Sequence, residues 1–123
     1  MATMQKVNID DKLALIGEHW RPKVVGDING QQVKLVKFRG RFVWHVHDEA
    51  DELFMPLRGS MRIEFHDRVV ELQPGEFFII PAGVEHRTAA DTEVSALLMH
   101  PAGTRNTGDK VDPNLTAPAE ERI

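Results

Sequence analysis

Residues that turn the chain cut it at short intervals: Arg21-Pro22, Asn29-Gly30, Arg58-Gly59-Ser60, His66-Asp67-Arg68, Pro74-Gly75 and Pro81-Ala82-Gly83. A segment of roughly four to eight residues between such breaks is too short to bury a helical stripe, but it can lay one face on a sheet. The spacing predicts strands over 23–28, 31–38, 42–46, 53–57, 61–65, 69–72 and 76–80, with a last pair around His86 and 94–99. Asn29-Gly30 is the strongest two-residue signal for a type I′ hairpin. Many short strands joined by tight turns imply an all-β antiparallel sandwich or barrel.

The flanks read differently. IDDKLALIGEHW (9–20) places Leu13, Ile16 and Trp20 near helical spacing, with Asp10 or Asp11 as the cap and Gly17 weakening it. One or two helical turns are expected there. From Pro101 the chain carries three prolines, two glycines and few large apolar residues. This predicts an extended arm or loose tail, draped over its own barrel or over a neighbouring subunit. The organisation expected is one domain over 1–123, with the barrel core at about 23–100 and the arm at 101–123. A chain of 123 residues can bury a core without staples.

Composition removes several function classes. There is no cysteine, so disulfides and thiolate metal sites are excluded. A formal net charge of -4, with no dense basic patch, argues against a nucleic-acid partner. The longest apolar runs resemble FFII at 77–80, far short of a membrane span. The first residues, MATMQKVNIDD, hold no apolar core of signal-peptide length, so a cytoplasmic protein is expected.

The stretch HVHDEADELFMPLRG (45–59) carries the chemistry. Residues two apart on a strand share a face, so His45 and His47 project together while Trp44 and Val46 turn away. Apolar neighbours imply that both faces are covered, and an unpaired buried polar group costs on the order of a few kcal/mol. Hydrogen bonds to carbonyls or nearby acids would satisfy the rings. Glu52 opens the next strand, however, and His86 follows a Pro-Ala-Gly turn. Three neutral imidazoles and one carboxylate suit a divalent first-row cation better than calcium or magnesium. Asp48, Glu49 and Asp51 are read as solvated loop charge, with Asp51 or Glu49 available to orient a ligand imidazole. His100, at the end of the last strand, is a candidate general base at the cavity mouth; His19 and His66 are assigned no role.

Two spaced patterns resemble the signature motifs of the cupins, small β-barrels that hold a metal by three histidines and a glutamate. From Gly40 to Gly59 the chain reads G-x4-H-x-H-x4-E-x6-G, and from Gly75 to His86 it reads G-x5-P-x-G-x2-H. The first has four residues before its histidine pair where five are usual, and Ala90 stands where the second usually ends on asparagine. Positions 60–74 separate the motifs, the compact spacing of bacterial single-domain cupins. The resemblance covers about 23–100. It implies a double-stranded β-helix, or jelly roll, with His45, His47, Glu52 and His86 as metal ligands. It also implies that Gly59 is the turn between motif strands, and that Pro81 and Gly83 set the bend that delivers His86.

Such a site is expected to hold one divalent transition metal, whether Fe, Mn, Zn or Ni, since nitrogen-rich sites do not select among these by affinity alone. An octahedral ion keeps two adjacent positions for water or substrate, which favours a small, anionic, oxygen-rich ligand. Strand parity places Met61, Ile63 and Phe65 on one face, opposite Arg62 and Glu64. Phe54 is expected inward, as are Phe77 and Ile79 or their alternates. Arg41, Arg58, Arg62 and Arg87 are the candidate anion clamps. Two function classes follow: a metalloenzyme of small molecules (an oxygenase, or an isomerase or lyase on a sugar or keto acid), and a non-catalytic small-molecule binding or sensing barrel. The open edges of the front hairpin predict a homodimer, paired through the N-terminal strands or the arm.

Overall fold

The computed structural model describes residues 4–123. Its elements are α1 (Ile9–Leu13), β1 (Lys23–Ile28), β2 (Gln31–Arg41), β3 (Glu52–Arg58), β4 (Met61–Glu64), β5 (Val69–Leu72), β6 (Phe78–Ile80) and β7 (Arg87–Pro101). All strand pairs are antiparallel, in the order β1-β2-β7-β3-β6, with β4 between β5 and β7. β7 organises the barrel. Its first part pairs with β4, its second with β3, and β2 runs along both, with a register shift at Phe38/Gly40 that bends the pair. No helix among the described residues is long and apolar enough to cross a membrane.

Parity sorts the side chains. From β2, Val36 and Phe38 enter the main core with Phe54, Met61, Ile63, Leu72, Ile80, Val94 and Leu98. Leu35, on the opposite face, is covered by Leu13 of α1, by Ile16 just after it and by Ile123. Burying each such side chain contributes about 1.5–3 kcal/mol, so both faces of β2 are stabilised. Ile80 is buried while Phe77 and Ile79 are exposed, so on β6 it is the alternates of the expected pair that face inward. Asn29 and Gly30 both take positive φ (52 and 77), as a type I′ turn requires. Gly59 has φ +78, and a Cβ there would lie 2.8 Å from the Glu93 carbonyl oxygen. That turn therefore excludes other residues twice over, by conformation and by space.

The helix has the one to two turns expected, at five residues. Two expectations need correction. The cap is Asn8, whose side chain accepts from the Asp11 N–H at 2.9 Å. Asp10 and Asp11 instead lie in the first turn, where the helix dipole favours their charge. Trp20 lies outside the helix in the left-handed region (φ 64). Residues 42–46 form no continuous strand, because β2 runs on to Arg41 and the chain then touches its neighbour only at intervals. Phe42 N–H donates to the Thr88 carbonyl at 2.9 Å, and His45 and His86 exchange two backbone hydrogen bonds of 3.0 Å.

The arm lies on its own barrel. Val24 N–H donates to the Glu121 carbonyl at 2.7 Å, and Ile123 N–H to the Val24 carbonyl at 3.2 Å, so the arm lines part of the free edge of β1. Lys34, buried, donates to the Ala119 carbonyl at 2.8 Å, and Gln32 donates to Glu120 at 2.6 Å.

Candidate metal centre

His45 and His47 come from the irregular segment after β2, Glu52 from the first position of β3, and His86 from just before β7. All four are buried. Each offers one atom, and those atoms lie within 4.8 Å of one another, so the group could hold a metal ion. The alternation expected of a strand survives without its ladder: the two imidazoles point inward, while Trp44 stacks on His66 at the surface with Arg87 above it.

The ring orientations are set locally. His45 Nδ1–H donates to the Val43 carbonyl at 2.8 Å, and His86 Nδ1–H to the Val84 carbonyl at 2.9 Å. A carbonyl can only accept, so each of these rings carries its proton on Nδ1 and turns a bare Nε2 toward the cluster. Asp51 and Glu49 do not orient an imidazole. Asp51 accepts from the Ala82 N–H at 2.8 Å and so pins the turn that precedes His86.

Glu52 is held from one side. His100 Nδ1–H donates to its Oε2 at 2.9 Å, while Oε1 faces His47 Nε2 at 3.5 Å and His86 Nε2 at 3.6 Å. Burial alone would raise this carboxyl. The His100 hydrogen bond, with the His47 and His86 rings facing it, outweighs burial and holds it well below the ordinary carboxylate range. Burial, and then the nearby His86, push the His45 imidazole down to about 4. The site at neutral pH thus contains an ionised carboxylate and a neutral His45, the forms that ligate metals.

A test of fit comes from the atoms left over. His47 Nε2, Glu52 Oε1 and His86 Nε2 are buried and have no hydrogen-bond partner. Each such atom costs about 1–3 kcal/mol when its partner is missing. The bare nitrogen of His86 facing a carboxylate oxygen sets two acceptors against each other, an arrangement that a shared cation resolves. The donor set fits a divalent first-row metal.

A narrow cavity adjoins the cluster, walled by Phe38, Phe42, Phe54 and Leu98 and by the Trp20 ring. Trp20 stacks between Phe38 and Phe42, with centroids 4.8 and 4.7 Å away. His45, Glu52 and His100 supply its polar end. Nothing local in the sequence marks Trp20 for this wall, nor Asn106, which reaches it from the arm. His100 is more deeply placed than a strand-end residue suggests: it is buried, and its Nε2 has no partner.

None of the candidate anion clamps reaches the cavity. Arg58 pairs with Asp10 at 2.6 Å, Arg62 with Asp91 at 3.0 Å and Arg87 with Glu64 at 2.8 Å, while Arg41 lies 3.9 Å from Glu64. Parity turns Arg62 away from Met61 and Ile63, and the exposed Asp10 and the largely buried Glu64 engage the rest. Phe65 is only partly buried, packed against Phe78 at the edge of the core. His19 and His66 pair with Glu93 and Glu85 on the surface, away from the site.

Residues 32–100 match the Cupin domain. A cupin-2 domain protein from Shewanella frigidimarina superposes with TM-score 0.76 at 42% identity, covering 77% of this chain and 93% of that one. The Bacillus subtilis protein YdbB is 37% identical over 65 residues, 52% of this chain, and the chain spans only 58% of that relative's length. Hydroquinone 1,2-dioxygenase PnpCD, in complex with Cd2+ and 4-hydroxybenzonitrile, superposes with TM-score 0.63 over 75% of this chain and 70% of its own. At 19% identity that likeness is one of fold alone. The matching stretch takes in both histidine motifs and more than half of the chain, and on that ground the protein belongs to the cupin family.

Proposed function

We propose that His45, His47, Glu52 and His86 hold one divalent transition metal (Fe, Mn, Zn or Ni) and that the protein is a cytoplasmic small-molecule metalloenzyme. The observation that carries this reading is the convergence of three buried, unpartnered ligand atoms on one point. Bound there, a divalent ion supplies Lewis acidity, and iron adds the capacity to use O2. The chain's own residues do the rest. The aromatic wall takes a small, flat ligand body and excludes water. His100, a residue of the cavity wall, fixes the far oxygen of Glu52, and its unpartnered Nε2 is the atom proposed to take up or return a proton.

Since no arginine among the described residues reaches the cavity, the negative charge of an oxygen-rich ligand would be met by the metal and not by a clamp. This favours an enolate or small aromatic alcohol, taken by an oxygenase, over a multiply charged sugar phosphate. An isomerase or lyase acting on a keto acid fits the same donor set. PnpCD, whose fold this chain shares, gives the aromatic class a precedent in that protein. A non-catalytic binding barrel is the second reading, favoured by the narrowness of the cavity.

The test is elemental analysis of protein purified without an affinity tag, followed by titration of the metal-free form with Fe(II), Mn(II), Zn(II) and Ni(II). Near one equivalent of iron, with oxygen uptake on adding diketones or catechols, supports the oxygenase. Another metal without uptake supports the isomerase or lyase. Binding of small ligands with no turnover on any metal supports the second reading.

A further inference from the structure

The match to the family ends at residue 100, yet the chain beyond it is built into the site. Val46, between the two histidines, is bracketed by the arm: its N–H donates to Asp109 Oδ1 at 3.0 Å, and its carbonyl accepts from the Asp109 N–H at 3.1 Å. Gly108, at φ +57, lies against the same peptide; an added Cβ would overlap the Val46 carbonyl oxygen and come within 3.1 Å of His45 Cδ2. The arm that delivers these groups is itself tied down. The buried Thr107 hydroxyl bonds to the Lys110 carbonyl and the Thr116 hydroxyl, both at 2.7 Å, and Asn106 bridges Leu115 and Ala117 beside the cavity.

His47 needs such support. His45 and His86 are each oriented by a carbonyl two residues upstream, whereas no hydrogen bond to the His47 ring is made among the described residues. Its position rests on the backbone on either side. Gly83 N–H donates to the His47 carbonyl at 2.9 Å, and the arm fixes the peptide before it. Rotation at Val46 would swing both imidazoles at once.

We infer that Gly108 and Asp109 of the C-terminal arm are positioning residues of the metal centre, holding His45 and His47 at ligating geometry through Val46. The inference rests on the metal reading above. What Asp109 contributes is an acceptor at a fixed distance, so geometry and charge make opposite predictions. Asp109→Asn keeps Oδ1 and loses the charge; Asp109→Glu keeps the charge and displaces the oxygens.

The experiment uses the full chain, with zinc affinity from chelator competition and the EPR spectrum of the copper(II)-loaded protein as readouts. Asp109→Ala and Asp109→Glu are expected to weaken zinc binding about 10–100-fold and to alter the copper hyperfine pattern, as losing an outer support of a ligand does elsewhere. Asp109→Asn is expected to keep the wild-type spectrum and bind zinc within about threefold of wild type, against that same 10–100-fold scale. Zinc affinity and copper spectrum unchanged in Asp109→Ala, with only a lower unfolding midpoint, would overturn the inference and leave the arm a structural clasp. If Asp109→Ala does not fold, the Asn and Glu pair decides, and weaker binding by Asn than by Glu would overturn it in favour of charge. Wild-type protein that binds zinc no better than the His45→Ala, His47→Ala double variant would instead sink the metal reading itself.

Discussion

At the centre, His45 and His86 are each oriented by a carbonyl two residues upstream, whereas His47 depends on the backbone on either side. Replacing His45 and His47 together by alanine removes two of the four candidate ligands while leaving the barrel core untouched; the variant is expected to fold, by circular dichroism, and to retain no metal on elemental analysis. Full metal content in it would refute the assignment. Acid should act through His45. Its folded-state pKa of about 4 lies below the value of about 6.5 in an unfolded chain, so the folded protein favours the neutral ring. As pH falls below about 6.5 the unfolded state takes up the proton first, and stability of the metal-free protein is lost progressively down to about pH 4. Glu52, also lowered, works in the same direction at still lower pH. The expected loss is on the order of a few kcal/mol. Urea unfolding of the metal-free protein at pH 7 and 4.5 measures it, and a flat profile would count against a buried neutral His45. His100 and Glu52 stand 48 positions apart in sequence, so no local pattern could pair them.

At the scale of elements, strand parity does most of the positioning and predicts which substitutions matter. Phe38 is buried and stacked against Trp20, so Phe38→Ala is expected to destabilise by about 3–5 kcal/mol. Ile79, on the outer face of β6, is half exposed, and Ile79→Ala is expected to change stability by no more than about 0.5 kcal/mol. Denaturant midpoints for the two variants check the assignment of faces; similar losses would show that the parity is wrong. The turn residues and period-two alternation placed most strands within a few positions, because both signals are local. The segment 42–46 misled for a physical reason: its composition is that of a strand, but a strand also needs a partner along its length. Here, among the described residues, the neighbour is met at Phe42 and His45 alone.

For the molecule as a whole, binding an ion to the folded state alone should raise stability by mass action. Free zinc at a hundred times its dissociation constant should add about 2.7 kcal/mol. Differential scanning fluorimetry should therefore show an upward shift of several degrees that a chelator reverses and the double histidine variant lacks. The homodimer also remains a proposal, and light scattering after size exclusion tests it; the arm already lines part of the β1 edge whose exposure suggested pairing, so a monomer would be explained by that cover. What the sequence alone determined were the features that short-range rules govern: turn chemistry, alternation of faces, and the fixed spacing of His45, His47, Glu52 and His86. The tertiary structure alone decided the course of the arm, the bracket of Val46 by Asp109 some 63 residues away, the Trp20 wall and the buried place of His100. Those are contacts between segments distant in the chain, chosen by packing and by the need of buried polar groups for partners, and a linear pattern does not encode which segment will supply them.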